Sequence, residues 1–161
     1  TPEQIKDISK KCGAKVITRP KELSNDIIMP DAALVHFAEN VDFDILVFIQ
    51  PTSPLLCHYH INQGLDMMTK YDSVFSAYKE HWLPRWSKNA NPIDWSPSFR
   101  PRRQDIDEQY VENGAFYITT KKNLLKSKLR YSGNIGIVKM SLSESYQLDN
   151  NNDLQIIEKL L

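Results

Sequence analysis

Cysteine is nearly missing from this chain: Cys12 and Cys57 stand alone, without CxxC spacing. That excludes a disulfide framework and a cysteine zinc site, and it points to a reducing intracellular compartment. Glycine is scarce as well, with five residues and none grouped, so no glycine-rich phosphate cradle is present. Net charge is zero, 20 basic residues against 20 acidic. No global field therefore draws the chain to nucleic acid or to an anionic bilayer. No apolar run approaches membrane length, so no spanning segment is expected. Any anion site in such a protein has to be local.

What is present suits one globular domain, because 161 residues can enclose a real core but not two comfortable ones. The chain does not open on Met. Thr1-Pro2-Glu3-Gln4 carries the cap, first-turn proline and acidic first turn of a helix, so a piece of a longer polypeptide is expected. That helix runs to about Cys12 with Ile5 and Ile8 on one face, and a short strand follows at Ala14 to Ile17. Arg19-Pro20 to Pro30 reads as a loop, with Ser24-Asn25-Asp26 as turn chemistry. Asp31 to Asn40 has the apolar stripe of a helix.

Ile45-Leu46-Val47-Phe48-Ile49 is apolar at every position, which predicts a central strand covered on both faces. Gln50-Pro51-Thr52-Ser53-Pro54 stops it. A helix over His58 to Lys70, with Ile61, Leu65 and Met68 inward, leads to a strand over Asp72 to Ala77. Helix and strand alternate, so the expected fold is α/β with a mostly parallel sheet. Periodicity then vanishes from Tyr78 to Arg103, where Trp82, Trp86 and Trp95 mix with four prolines. Tryptophans in an irregular segment seldom stay exposed, and 78–103 is read as a dimerisation arm. A strand at Phe116, a short helix or turn at Asn123 to Lys128, a strand at Asn134 to Met140 and a helix at Leu154 to Leu161 close the chain.

Two stretches carry candidate chemistry. Ligands of open α/β sheets lie beyond the carboxyl ends of strands, which puts Gln50 at the crevice with an amide able to donate and accept. Arg100, Arg102 and Arg103 crowd together ahead of Asp105, Asp107 and Glu108. Planar guanidiniums of this kind suit carboxylate or phosphate, although the acidic neighbours alone would neutralise them. Asp149 and Asp153 offer oxygen ligands of the kind Mg²⁺ prefers, and Asp153 equally suits a helix N-cap. Cys57-His58-x-His60 has no matching second pair for a metal, and neighbouring side chains on a helix start do not face one another. No nucleophile arrangement emerges.

Taken together, Arg19-Pro20 with Glu22-Leu23-Ser24, Gln50 to Leu55, Tyr71 to Ser76, Arg100 to Asp105 and Glu112 to Tyr117 resemble blocks of the acylneuraminate cytidylyltransferases, in the same order. The resemblance implies a three-layer nucleotidyltransferase-like (Rossmann-like) fold with a dimerisation excursion. It implies transfer of CMP from CTP to a nonulosonic acid with release of pyrophosphate, Mg²⁺ as cofactor and a homodimer. By position, Gln50 touches the sugar acid, Arg19 lies near the triphosphate, and Arg103 and Arg85 reach sugar acid or phosphate, across the dimer interface in one version. Asn113 and Tyr117 line the sugar pocket, Asp149 holds the metal, and Arg103 and Asp149 serve catalysis. The expected compartment is the cytoplasm, or the nucleus in a eukaryote.

Three departures stand against it. The chain is expected to begin after the family's amino-terminal strand and its phosphate-holding loop. Its Asp-x-Asp is here Gln147-Leu148-Asp149, and Ile27-Ile28-Met29-Pro30 replaces small hydroxyl residues. A non-catalytic relative or fragment, binding a sugar acid or dimerising as a regulatory module, is the alternative.

Overall fold

The computed structural model describes residues 2–20, 22, 29–81 and 83–161. The expected cap at Thr1, the turn at Ser24 to Asp26, the departure at Ile27-Ile28 and one of the three tryptophans, Trp82, lie outside them.

Helix α1 spans Pro2–Lys11, and 14–20 follow without strand pairing, so the short strand expected there is not formed among the described residues. Helix α2 (Pro30–Asn40) begins on a proline, whose fixed φ suits a first turn. Strand β1 (Ile45–Ile49) leads through the proline turn to α3 (His58–Met67) and β2 (Ser73–Lys79). Within 83–103 the described residues form a small antiparallel hairpin, β3 (Arg85–Trp86) with β4 (Pro92–Ile93), and a single bridge between Ser96 and Phe99. A 3-10 turn at Arg103–Asp105 precedes β5 (Tyr110–Thr120), α4 (Lys121–Ser127), β6 (Ile135–Met140), a second 3-10 turn at Ser143–Ser145 and α5 (Asn151–Leu160).

The main sheet has the order β1-β5-β2-β6. Strands β1, β2 and β6 run in one direction, and β5 lies antiparallel between β1 and β2. The α/β expectation with most strands codirectional therefore holds, with one strand reversed. One expectation is corrected: β1 is an edge strand among the described residues, with its end residues Ile45 and Ile49 exposed. An all-apolar run reports covered faces, and both faces of β1 are covered, but it says nothing about whether a neighbour lies alongside.

Each face has its own core. On one, Val74, Phe116, Ile118 and Val138 pack with Val47 and with Ile61, Met67 and Met68 from the α3 region. The helix comes so close at Gly64 that a Cβ there would lie 2.7 Å from Ile118 Cδ1. Leu65, expected inward, is turned out, because Gly64 is the residue on the contact line. On the other face Leu34, Ala38 and Leu124 pack with Leu46 and Phe48, so α2 and α4 share that side.

A buried ion pair pins α2 to this second face. Asp31, in the first turn of α2, accepts from the backbone N–H of Arg130 at 2.6 Å and from its Nη2 at 2.7 Å. The guanidinium lies 4.9 Å from the ring centroid of Tyr117 and 5.9 Å from that of Phe48. Burial pushes the Asp31 carboxyl up, but the Arg130 hydrogen bonds and charge outweigh it and leave the group below the usual carboxylate value. Removing one partner of such a pair strands the other charge. Asp31→Ala should lower stability by on the order of 3 kcal/mol, read as a lower urea midpoint at unchanged slope; a midpoint like wild type would show that the pair does not hold the helix.

Candidate functional site

Because β1, β2 and β6 are codirectional, their carboxyl ends meet at one edge of the sheet, where ligands of open α/β sheets bind. The start of β5 reaches the same edge from the opposite direction. Gln50 leaves β1 with its N–H on Ala115 O at 3.1 Å, and the turn closes with Ser53 N–H on Gln50 O at 3.3 Å. Gly114 lies beneath. Its φ is +70°, a region that strains any residue with a side chain, and an added Cβ would sit 2.7 Å from Gln50 Oε1. The Gln50 amide, half-buried, has no hydrogen-bond partner among the described residues.

The loop after β6 braces this turn. Thr52 Oγ1 donates to Gln147 Oε1 at 2.8 Å, Gln147 Nε2 donates to Ser53 Oγ at 2.7 Å, and Leu148 N–H donates to Thr52 O at 2.8 Å. Gln147 Oε1 also comes within 3.9 Å of the position a Cβ on Gly114 would take. The sequence did not announce this pairing, since its partners lie 94 and 95 positions apart.

Asn113 and Tyr117, both expected at the sugar, are buried and hydrogen-bonded within the fold. Asn113 Nδ2 donates to Ser145 Oγ at 2.8 Å, and its Oδ1 accepts from Ser76 Oγ at 2.6 Å and from Ala115 N–H at 3.2 Å. The Tyr117 hydroxyl donates to Glu112, and burial, with that hydrogen bond, raises its pKa well above the ordinary phenol value. Glu112, not singled out from the sequence, is thus the exposed group above Tyr117.

The arginines divide. Arg102 holds Asp105 through two bonds, at 2.7 and 2.9 Å, Arg85 pairs with Glu80, and Arg100 stacks 5.9 Å from the ring of Trp95. Arg103 has no partner among the described residues and lines a cleft of about 430 Å³ with Lys79, Glu80, His81 and Asp107. His81, missed in the sequence, also lines a second cleft of about 380 Å³ with Tyr78, Met140 and Ser141. Arg103 and Gln50 do not share a pocket. Glu80 N–H bonds Gln109 O, six residues before the Ala115 that receives Gln50, which separates the two regions by about 20 Å of extended chain. Arg19 is apart again, in a cleft of about 730 Å³ between 14–19, α2 and the open side of β1.

The carboxylates do not assemble a cation site. Asp149 is exposed, and its N–H donates to Asp153 Oδ2 at 2.9 Å. Asp153 is committed to the start of α5, where Asn150, not Asp153, is the N-cap. With Gln147 occupied by Thr52 and Ser53, no group of three or more metal-ligating side chains exists among the described residues. On their own these residues do not fit a resident Mg²⁺.

Behind the bracing loop, Glu144 accepts from Ser141 N–H at 3.1 Å, from Ser141 Oγ at 2.6 Å and from the Tyr59 hydroxyl. His60 is buried, its Nδ1 accepts from Cys57 N–H at 3.2 Å, and its Nε2 faces Glu144 Oε1 at 3.6 Å. It is a core histidine. The Ser141 and Tyr59 hydrogen bonds hold the Glu144 carboxyl down at about 2, and burial holds the His60 imidazole below its ordinary value.

Both groups resist protonation in the fold, so both contribute less as pH falls. The His60 contribution is complete above about pH 6.5 and fades below it, while that of Glu144 is complete above about pH 4.3 and fades toward pH 2. Glu144→Gln should therefore flatten the thermal midpoint against pH in the lower window and, because the Glu144 carboxylate holds the His60 pKa up, steepen it in the upper one; a profile superimposable on wild type would contradict this.

The architecture has a solved counterpart. The crystal structure of 4-diphosphocytidyl-2C-methyl-D-erythritolsynthase from Anaerococcus prevotii superposes with a TM-score of 0.64 at 12% identity, covering 98% of this chain and 74% of that one. The fold is thus the nucleotidyltransferase-like α/β sandwich. A sequence model of the family described as "Cytidylyltransferase" matches residues 1–160, and the chain belongs to that family. Among relatives, an N-acylneuraminate cytidylyltransferase from Oncorhynchus mykiss is 36% identical over 76% of this chain and 30% of its own length. N-acylneuraminate cytidylyltransferase A from Danio rerio is 32% identical over 98% and 38% respectively. The protein of that name from Streptococcus agalactiae is 27% identical over 94% and 38%. The chain thus spans about a third of the length of these relatives.

Proposed function

We propose that this chain is the sugar-acid side of a cytidylyltransferase that joins CTP to a sialic-acid-like nonulosonic acid and releases pyrophosphate. The observation that carries the reading is the unpartnered Gln50 amide above Gly114 at the carboxyl edge of the sheet, within a family whose relatives are named for N-acylneuraminate. Gln50 contacts the polar substituents of the sugar. Asn113 and Tyr117 act behind it, through Ser145 and Glu112, by keeping the wall in register. Chemistry is attack by the anomeric hydroxyl on the α-phosphorus, aided mainly by positioning. Asp149 is the one carboxylate of the Gln-x-Asp run offered toward a cation carried by the triphosphate, and Arg19 stands on the nucleotide side.

In this reading residues 1–161 form one domain and 78–103 pairs it with a second copy. Leu83, Trp86, Ile93 and Phe99 are exposed on or beside the hairpin, an apolar and aromatic patch suited to an interface. The separation of Arg103 from Gln50 within one subunit favours a site completed by the partner copy, with Arg103 supplying its guanidinium to the sugar acid or phosphate there. Arg85, neutralised by Glu80, is the weaker donor. Among the described residues no helix is long and apolar enough to cross a membrane. A non-catalytic, sugar-acid-binding relative is the second reading, favoured by the amide at 147.

Pyrophosphate release from CTP should require both Mg²⁺ and a nonulosonic acid, assayed on the full-length polypeptide; no turnover across a panel of such acids would leave only the binding reading. Arg103→Ala should reduce kcat/KM at least 100-fold with an unchanged melting curve, about 2.7 kcal/mol of transition-state stabilisation. Mixing Arg103→Ala with Gln50→Ala should restore part of the activity if the two residues serve one site from different subunits. Strict additivity of the two inactive preparations would place both in one subunit's site.

A further inference from the structure

We propose that Gln147 is a positioning residue, holding the Gln50 turn in its ligand-ready shape by hydrogen bonds and without a bound cation. The proposal rests on Gln50 being a ligand contact, as argued above.

Both ends of the Gln147 amide are used: it accepts from Thr52 Oγ1 at 2.8 Å and donates to Ser53 Oγ at 2.7 Å. The backbone bond from Leu148 N–H to Thr52 O, at 2.8 Å, adds a third strut one residue along. These struts cross from the β6–α5 loop to the two residues that follow Gln50-Pro51. Ser53 is buried with only 7% of its surface exposed, so its hydroxyl needs the partner that Gln147 supplies. The Gln147 and Gln50 carbonyl oxygens also converge over Gly114, where an added Cβ would lie 3.9 and 2.7 Å from them.

The residue type matters for two reasons. A carboxylate at 147 only accepts, so it would require both hydroxyls to turn and donate. It would also place a second negative charge two residues from Asp149 and next to the Gln50 oxygen, an arrangement that attracts a hard divalent cation. A neutral amide keeps the strut and removes the charge. Order in the turn is thereby separated from metal loading.

The test uses the full chain with Mn²⁺ alone as probe, amide hydrogen exchange, and steady-state kinetics on the full-length polypeptide. In the wild type, millimolar Mn²⁺ should leave the resonances of 147–150 unbroadened while the Leu148 and Ser53 amides stay protected. Gln147→Ala should speed exchange of those two amides at least tenfold and raise KM for the sugar acid at least tenfold, with KM for CTP within twofold. Gln147→Glu, which keeps the reach, should bind Mn²⁺ at least tenfold more tightly than wild type and recover part of the amide protection.

Mn²⁺ broadening at Asp149 in the wild type, or unchanged exchange in Gln147→Ala, would overturn the proposal. So would equal changes in both KM values. If the full-length wild type shows no turnover, the activity reading fails, and the exchange and Mn²⁺ measurements still decide the role of Gln147.

Discussion

The structure is organised around a reversed strand. β5 enters between β1 and β2 against their direction, and its residues Ala115 to Thr119 are buried on both faces. A strand in that position satisfies its backbone on both edges while covering apolar side chains above and below, which is the most complete burial a sheet offers. Everything at the candidate site depends on where it lies. Its register against β1 brings Gly114 under Gln50, its register against β2 brings Asn113 to Ser76, and the residues before it carry Arg103 to the end of β2. The hydroxyl of Thr119, buried without a hydrogen-bond partner among the described residues, marks how tightly that position is enclosed.

Charge is handled by local neutralisation, in keeping with a net charge of zero. Asp31 answers Arg130, Asp105 answers Arg102, Glu80 answers Arg85 and Glu108 answers Lys79. These pairs differ in worth. The exposed ones contribute little, because water screens them, whereas the Asp31 pair is withdrawn from solvent and stacked on aromatic rings. Against this background a guanidinium unanswered among the described residues stands out, and Arg103 is one. Its selection among three neighbouring arginines is a matter of geometry: Arg102, just ahead of the 3-10 turn, reaches Asp105 three residues on, and Arg103 lines a cleft beside Lys79 and Asp107.

The wall of the site is rigid by hydrogen bonding rather than by packing alone. Asn113, Ser76 and Ser145 join β5, β2 and the second 3-10 turn, while Gln147 joins the loop after β6 to the turn after β1. Polar networks of this kind are stable when every member is satisfied, and here the amides of Asn113 and Gln147 each bond at both their oxygen and their nitrogen. That leaves Gln50 as the amide with bonding capacity to spare, which is the property a ligand contact needs.

Much of this was legible beforehand. The alternation of helix and strand, the covered faces of β1, the stop at Gln50 to Pro54 and the family resemblance all follow from neighbouring residues, because periodicity and turn chemistry are local properties. The edge position of β1, the reversal of β5, the exposure of Leu65 and the absence of a strand at 14–17 could not, since each depends on which segment comes to lie beside which. The same holds for the two amides of the site. The residue type says that Gln147 is a neutral amide, but only the tertiary structure joins it to Thr52 and Ser53, nearly a hundred positions away, and leaves the Gln50 amide without a hydrogen-bond partner among the described residues. Local sequence determines what a side chain can bond; the fold decides which partner arrives within 3 Å.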